Sequence, residues 1–492
     1  MKKHLLLFAL AIFCITGCGK VTKDPVDTEL TNTRYYVNAF AYSVMNTYYL
    51  WKKEISDAFA DWADDDEPIN KIEEIRYKGS DGEDIDRWTM LTDDYSSLIS
   101  SIDGVTTTYG LDYTLYYVDN TKKTVCMIVN YTAEGSPARK AGLKRGDVIM
   151  QVGGKELSTK EYATILKENF HYASSCTLTL LDGSKVEMTA TEMYEDPVLL
   201  YKIFSFNGKK VGYLVYNSFT LTSWERLKEA CGYFVQEGVT ELILDLRYNS
   251  GGYVTAEYTL ASMLAPKSAV ENQDVFEKNI YNDAVQKALG DTDSRFTDSF
   301  NFTYENKEYN YSTADTNVDI TKIYAITTSR TASASESILV GLSPYLDMEI
   351  IGQSTSGKYC SGMLYPASSW TEDYRETLVS NGMNVETVRK YTDNWGIYVM
   401  ISRFADRNGN TPCMPDGYVP DIEAEDNPIE GLELGDENEA LLHIALQRAG
   451  KTDFTRKAPR SPGFTPAEPL RVPSNGYRII GASLPQYPEF QK

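Results

Sequence analysis

Histidine is scarce in this chain, with three residues in 492: His4, His171 and His443. His4 falls in the N-terminal apolar segment and His171 in a β-rich stretch, so a Ser-His-Asp arrangement further on depends on His443 alone. Metal-binding cysteine spacing is missing as well. Cys14 and Cys18 belong to the N-terminal segment, while Cys126, Cys176, Cys231, Cys360 and Cys413 are scattered and form no C-x-x-C pair. Neither a zinc site nor a disulfide scaffold is indicated, and no cofactor is called for. These five read as small buried apolar residues, with Cys360 set two residues from Lys358. Positive charge is in deficit, with 48 Lys and Arg against 70 Asp and Glu. The resulting net charge of −22, without a local basic patch, sets nucleic acid aside as a partner. No later segment is long and apolar enough to cross a bilayer, and there is no internal repeat.

What is present begins at the N-terminus. Lys2 and Lys3 precede an apolar run over residues 5–15, followed by Ile15-Thr16-Gly17-Cys18. A basic start, a short apolar stretch and small residues before a cut describe an export signal over residues 1–17. The Cys after Thr-Gly resembles the bacterial lipobox, which implies lipidation of Cys18 and a chain anchored in the cell envelope, on the periplasmic face or the outer surface of the outer membrane. A plain secretory signal with an incidental cysteine is the alternative. Residues 18–32 are polar and read as a tether.

The remainder divides by pattern into a multidomain α/β chain, since 492 residues exceed one core. Residues 33–103 carry apolar positions at helical spacing and read as a small N-terminal helical cap without chemistry of its own. Residues 104–190 switch to short β-branched and aromatic runs with one helix, expected over 158–169. From residue 191 to 450, apolar strands alternate with helices, including helices expected over 224–236, 254–264 and 334–342. That alternation implies a mainly parallel sheet covered on both faces. Residues 266–319 are polar and Tyr- and Asn-rich, and read as an insertion or lid. Residues 451–492 form a Pro-rich tail, expected to be extended or loosely packed.

A serine hydrolase short of histidine needs another base, and a desolvated lysine can serve. Thr331-Ala332-Ser333-Ala334-Ser335-Glu336 follows an apolar strand and opens a helix, so Ser333 stands at a strand-to-helix turn beside the helix N-terminal N–H groups. The bland reading is a Ser-x-x-Glu capping box. Asp245-Leu246-Arg247-Tyr248-Asn249-Ser250-Gly251-Gly252 also leaves a strand and enters a helix, and its paired glycines free the backbone to present an N–H. Ser354-Thr355-Ser356-Gly357-Lys358 follows a third strand, 25 residues after Ser333.

Together these segments resemble the C-terminal processing peptidase (tail-specific protease) family. That resemblance implies a ClpP/crotonase-like α/β peptidase core with Ser333 as nucleophile and Lys358 as general base. It also implies an oxyanion hole from the N–H groups of Gly251 or Gly252 and of Ala334, with Ser335 and Ser329 the lesser serines. Upstream, Ser136-Pro137-Ala138 and the run from Ala141 through Gly146-Asp147-Val148-Ile149 resemble bacterial PDZ domains. Tyr109, Gly110, Leu111, Asp112 and Tyr113 sit where such domains keep a carboxylate-binding loop. A strand edge and groove of that kind add a peptide strand, and the implied partners are peptides or proteins, including C-terminal tails. Two departures stand out: where many members carry a lysine-orienting Gln this chain has Gly362, and where some carry an Asp it has Pro344, with Asp347 nearby. Three functions follow: an exported serine endopeptidase, a peptide-binding lipoprotein that has lost catalysis, or an acyl-CoA enzyme on the related core, the last at odds with the PDZ-like module.

Overall fold

The computed structural model describes residues 28–304, 307–452, 454–457, 465–470 and 477–479. The expected export segment and Cys18 lie outside these described residues.

The first module is built from four helices, Thr28–Tyr48, Ser56–Ala60, Pro68–Ile75 and Tyr95–Ile102. Val37, Phe40, Ala41, Val44 and Met45 recur at three- and four-residue spacing and are fully buried against neighbouring aromatics. Asp94 caps the last helix by accepting the Ser97 N–H at 3.2 Å. Residues 33–103 are not wholly helical, however. Met90–Thr92 is a strand that pairs antiparallel with Gly396–Ala405 and so joins the downstream sheet.

The second module is a six-stranded antiparallel sheet whose edge strand is Leu111–Tyr117. Val125, Met127 and Val129 alternate inward to meet Ile149, Val152, Leu157 and Leu178. The helix expected over 158–169 is shorter: Tyr162–Leu166 runs on into a single wide turn, Lys167–His171. Its expected start belongs to the strand Lys155–Ser158, which pairs with Val148–Val152 and Thr124–Val125.

Two sheets make up the third module. The first runs in the order Val198–Phe206, Lys209–Tyr216, Glu241–Asp245, Lys322–Thr327, Asp347–Gly352, Ile422–Glu423. It is parallel beyond its first hairpin. Leu214, Leu242, Leu244, Ile323 and Ala325 face the helices Trp224–Glu237, Val254–Leu264 and Ala334–Leu342. Tyr213, Val215, Ile243, Tyr324 and Ile326 face the helix Ala440–Arg448 on the other side. Burial on both faces explains why these strands read as continuous apolar runs.

The second sheet has no counterpart in the sequence reading. It joins Gly251–Tyr253, Tyr477–Ile479, Cys360–Pro366, Gly396–Ala405, Val275–Tyr281 and Asp293–Arg295 in that order. Part of the segment read as a polar insertion or lid, Val275–Tyr281, is therefore a strand of the body of the domain. Its polar character comes from Glu277 and Asn279, which are buried but bonded, Glu277 to the Ser337 and Tyr258 hydroxyls at 2.6 Å each.

Beneath the sheet ends lies a buried ion network. Arg247 is fully enclosed and donates to Asp245, Asp426 and Glu439, and Arg145 from the second module donates to Asp426 at 2.6 Å. Burial works to raise the Asp426 carboxyl, but Arg145 and Arg247 outweigh it and hold the group down at about 2. Its folded value is depressed, so its contribution is complete above pH ~4 and is lost as pH falls from there through about 2. We expect wild-type protein to lose on the order of 2 kcal/mol more stability than Asp426→Asn across that window, read from urea midpoints at each pH. Equal losses by both would contradict the network's role.

Candidate active site

The C-terminal ends of the parallel strands gather the three motif segments, the usual place for a ligand in such a sheet. After Lys322–Thr327 the chain turns into the helix Ala334–Leu342, and Ser333 occupies the turn with φ 65° and ψ −116°. A non-glycine residue in that region is strained, and such strain collects where a side chain must be presented. Ser333 and Glu336 are arranged as a capping box, yet Ser333 Oγ is buried and makes no hydrogen bond of ordinary length and angle. The Ala334 N–H is the first of the helix, a position with no intrahelical acceptor.

Glu336 ties the Ser333 turn to the Lys358 loop. Its Oε2 accepts the backbone N–H of Ser333 and that of Lys358, both at 2.8 Å. The two backbone nitrogens therefore lie within twice that distance of each other. Oε1 accepts the Gly357 N–H at 2.7 Å and the Thr355 hydroxyl. Burial raises the Glu336 carboxyl above its usual range, while these four donors work to lower it. Gly357 takes φ 79° in this loop, and a Cβ there would fall 2.1 Å from the Pro415 carbonyl oxygen, so glycine is required.

Asn249 performs the matching task for the glycine segment. Its side chain donates to the Tyr216 carbonyl at 2.9 Å and accepts the Gly251 N–H at 2.9 Å. Its carbonyl accepts from Ala332 N–H and Ser335 Oγ. The Gly251 N–H is therefore spent within the loop. Gly251 and Tyr253 bond to Phe219 on one side, so the N–H and C=O of Gly252 point the other way, toward Tyr477–Ile479. Of the two glycines, Gly252 has the outward-facing donor.

Lys358 is fully buried, and its Nζ stands 3.1 Å from Tyr398 Oη. It also lies 4.9 Å from the Tyr398 ring centroid and 5.5 Å from that of Trp88. Trp88 comes from the first module, so the segment read as a helical cap packs one of its rings against the Lys358 amine. Tyr398 comes from the second sheet and was missed in the sequence. Its signal is steric: a Cβ at Gly362 would fall 2.3 Å from the Tyr398 ring. The glycine that replaces the expected Gln thus makes room for a tyrosine that reaches the same amine.

The remaining candidates are placed as follows. Ser335 Oγ is bonded to Asn249, and Ser329 is exposed. Asp347 opens its strand at the far end of the sheet, paired with Lys322 at 2.9 Å. His443 is buried and bonded to the Glu437 carbonyl, and His171 meets the Tyr113 hydroxyl in the second module. In the loop read as carboxylate-binding, Tyr109 is buried with its hydroxyl on the Ala173 carbonyl, and the Gly110 N–H donates to Thr108. Leu111 packs against the module's core, and Tyr113 lies edge-on to Phe170. Asp112 makes a two-pronged ion pair with Arg330, three residues before Ser333. Among the described residues no helix is long and apolar enough to cross a membrane, and no cluster could hold a metal ion.

Comparison with known proteins agrees with this anatomy. Residues 210–424 match the model of peptidase family S41, and residues 128–171 match a PDZ domain. A Staphylococcus aureus (strain COL) protein described as a CtpA-like serine protease is 24% identical over 245 residues, 46% of this chain and 49% of that protein. A Staphylococcus saprophyticus counterpart is 25% identical over 224 residues, 45% of this chain and 40% of the relative. The chain thus spans about half the length of the curated relatives it matches. A crystal structure of an S41 protease from Bacteroides fragilis NCTC 9343 shares the fold, with a TM-score of 0.63 at 23% identity, covering 83% of this chain and 96% of that one. The chain carries a peptidase family S41 domain with a PDZ domain ahead of it.

Proposed function

We propose that this chain is an exported, lipid-anchored serine endopeptidase of the C-terminal processing type, working through Ser333 and Lys358. The observation that carries the reading is the pair of bonds from Glu336 Oε2, which hold the strained Ser333 turn and the Lys358 loop together beside a buried Oγ. The Lys358 amine takes the proton from Ser333 Oγ as the oxygen attacks the scissile carbonyl. Gly252 and Ala334 N–H groups receive the oxyanion, the protonated Lys358 returns its proton to the leaving amine, and water releases the acyl-enzyme. Full burial of Lys358 favours this role, since desolvation disfavours a charged amine in general. Substrates are extended peptides and proteins, met first by the PDZ domain. Cys18 and the apolar run before it support anchoring to the cell envelope.

The reading as a binding protein without catalysis rested on the missing Gln. Tyr398 Oη, 3.1 Å from Lys358 Nζ, supports the catalytic reading by offering the amine an orienting partner. Tyr398→Phe keeps the ring and loses the hydroxyl, so kcat is expected to fall about tenfold with KM within about twofold, a loss on the order of one hydrogen bond. An unchanged kcat would remove Tyr398 from the machinery. The function itself is tested by incubating mature protein and its Ser333→Ala form with unfolded casein and following fragments by mass spectrometry. Cleavage by wild type alone is expected, and equal cleavage by both would contradict the assignment.

A further inference from the structure

The Pro-rich tail touches both modules, and at each contact it adds a strand where a peptide would be taken up. Residues 467–470 run antiparallel along the free edge of Leu111–Tyr117 in the PDZ domain. Tyr117 N–H donates to the Glu468 carbonyl at 2.9 Å, Ala467 N–H to the Tyr117 carbonyl at 3.0 Å, and Leu470 N–H to the Leu115 carbonyl at 2.7 Å. Leu470 packs onto the domain's core, and Glu468 pairs with Lys122. This is strand addition to an exposed sheet edge, the mode in which such domains hold peptides.

Further along, Tyr477–Ile479 lies between Gly251–Tyr253 and Cys360–Pro366 and is the strand that joins them into one sheet. Tyr477 is opposite Gly251, Arg478 opposite Gly252, and Ile479 opposite both Tyr253 and Gly362. The main-chain groups of Gly252, one of them the outward-facing oxyanion donor, are turned toward this strand. Ile479 is buried in the aromatic core around it. Ser333 and Lys358 are both fully buried in this state. While that state persists a substrate has no path to Ser333, and the strand against the glycine pair is this chain's own.

We propose that the tail segment bearing residues 465–470 and 477–479 is an intramolecular ligand that occupies the peptide track of both modules and holds the protease closed. The proposal rests on the protease reading above and adds its regulation. A substrate tail displaces the segment from the PDZ edge first, where three main-chain bonds and a half-exposed Lys122–Glu468 pair are the contacts to be exchanged. Release there frees the strand beside Gly252. Because the segment is tethered, its local concentration is in the millimolar range, and a free peptide of the same sequence competes far less well.

The test compares the full chain with a form ending at residue 464 and with the full-length double variant Leu470→Asp/Ile479→Asp. Casein turnover is expected to rise about tenfold or more in both. A fluorescein-labelled peptide of residues 465–480 is expected to bind the shortened form carrying Ser333→Ala, read by fluorescence anisotropy, and to inhibit the shortened wild-type form by raising KM. If the shortened form fails to fold by circular dichroism, the double variant decides the turnover arm and the labelled peptide is offered to its Ser333→Ala form. Binding of the peptide with no casein cleavage by any form would leave the occupied track standing and remove the protease reading. Failure of the labelled peptide to bind, or turnover equal to that of the full chain in a folded variant, would overturn the proposal.

Discussion

Glu336→Ala is expected to abolish cleavage and to cost about 3–5 kcal/mol of stability, the order expected when several buried donors lose their acceptor at once. The carboxylate has no exposure and accepts from three backbone N–H groups and one hydroxyl. Alanine leaves the N–H groups of Ser333, Gly357 and Lys358 without an acceptor in a closed site, and each orphan costs roughly 1–3 kcal/mol. The loss of activity is separate from the loss of fold. With the clamp gone, the two segments keep the Ser356 N–H bond to the Thr331 carbonyl but lose the direct tie at Ser333 and Lys358 themselves. Glu336→Gln keeps one accepting oxygen but turns an N–H₂ toward donors, so it is expected to fall between wild type and alanine. Urea unfolding and casein turnover read both effects. An alanine variant within about 1 kcal/mol of wild type that still cleaves would show that Glu336 only caps its helix.

Lys358→Met is expected to lower turnover on the order of 10⁴-fold or more while leaving stability unchanged or higher. Residues that act as a unit lose most of their joint effect when one is removed. Methionine fills the space beside Trp88 and Tyr398 without an amine to bury, so the desolvation cost of that group disappears. The pair of readouts matters here. Lost turnover with an undiminished thermal midpoint assigns Lys358 to chemistry, whereas turnover within tenfold of wild type would make it a packing residue.

Much of this site is legible in the sequence because its parts are local. The helices Val254–Leu264 and Ala334–Leu342 begin and end where the apolar spacing places them. Strands buried on both faces stand out as unbroken apolar runs, and the glycine pair, Ser333 and Gly357-Lys358 each sit within a few residues of such a run. The second sheet is not legible in the same way. Its strand Val275–Tyr281 carries Glu277 and Asn279, whose polarity is met by buried bonds rather than by solvent.

The partners of Lys358 stayed hidden for a related reason. Tyr398 is 40 residues beyond it in the chain, and only the register of Cys360–Pro366 against Gly396–Ala405 brings its ring over Gly362. Trp88 is 270 residues away and arrives because Met90–Thr92 pairs with the same strand. Glu336 was visible as a capping residue, but its bonds to Gly357 and Lys358 depend on a strand and loop that follow the helix. The tail's proline content argued for loose packing. Its described pieces pair with two sheets, because proline at a strand edge need give no N–H to the ladder.

The central claim is that Ser333 is the nucleophile and Lys358 its base. The most direct measurement is reaction of the mature protein with a small serine-directed fluorophosphonate, followed by mass mapping of the adduct in wild type and Lys358→Met. One adduct is expected, on Ser333, formed by wild type and lost or strongly slowed in Lys358→Met. An adduct on Ser335 or Ser329, or casein cleavage by a protein whose Ser333 never reacts, would contradict it.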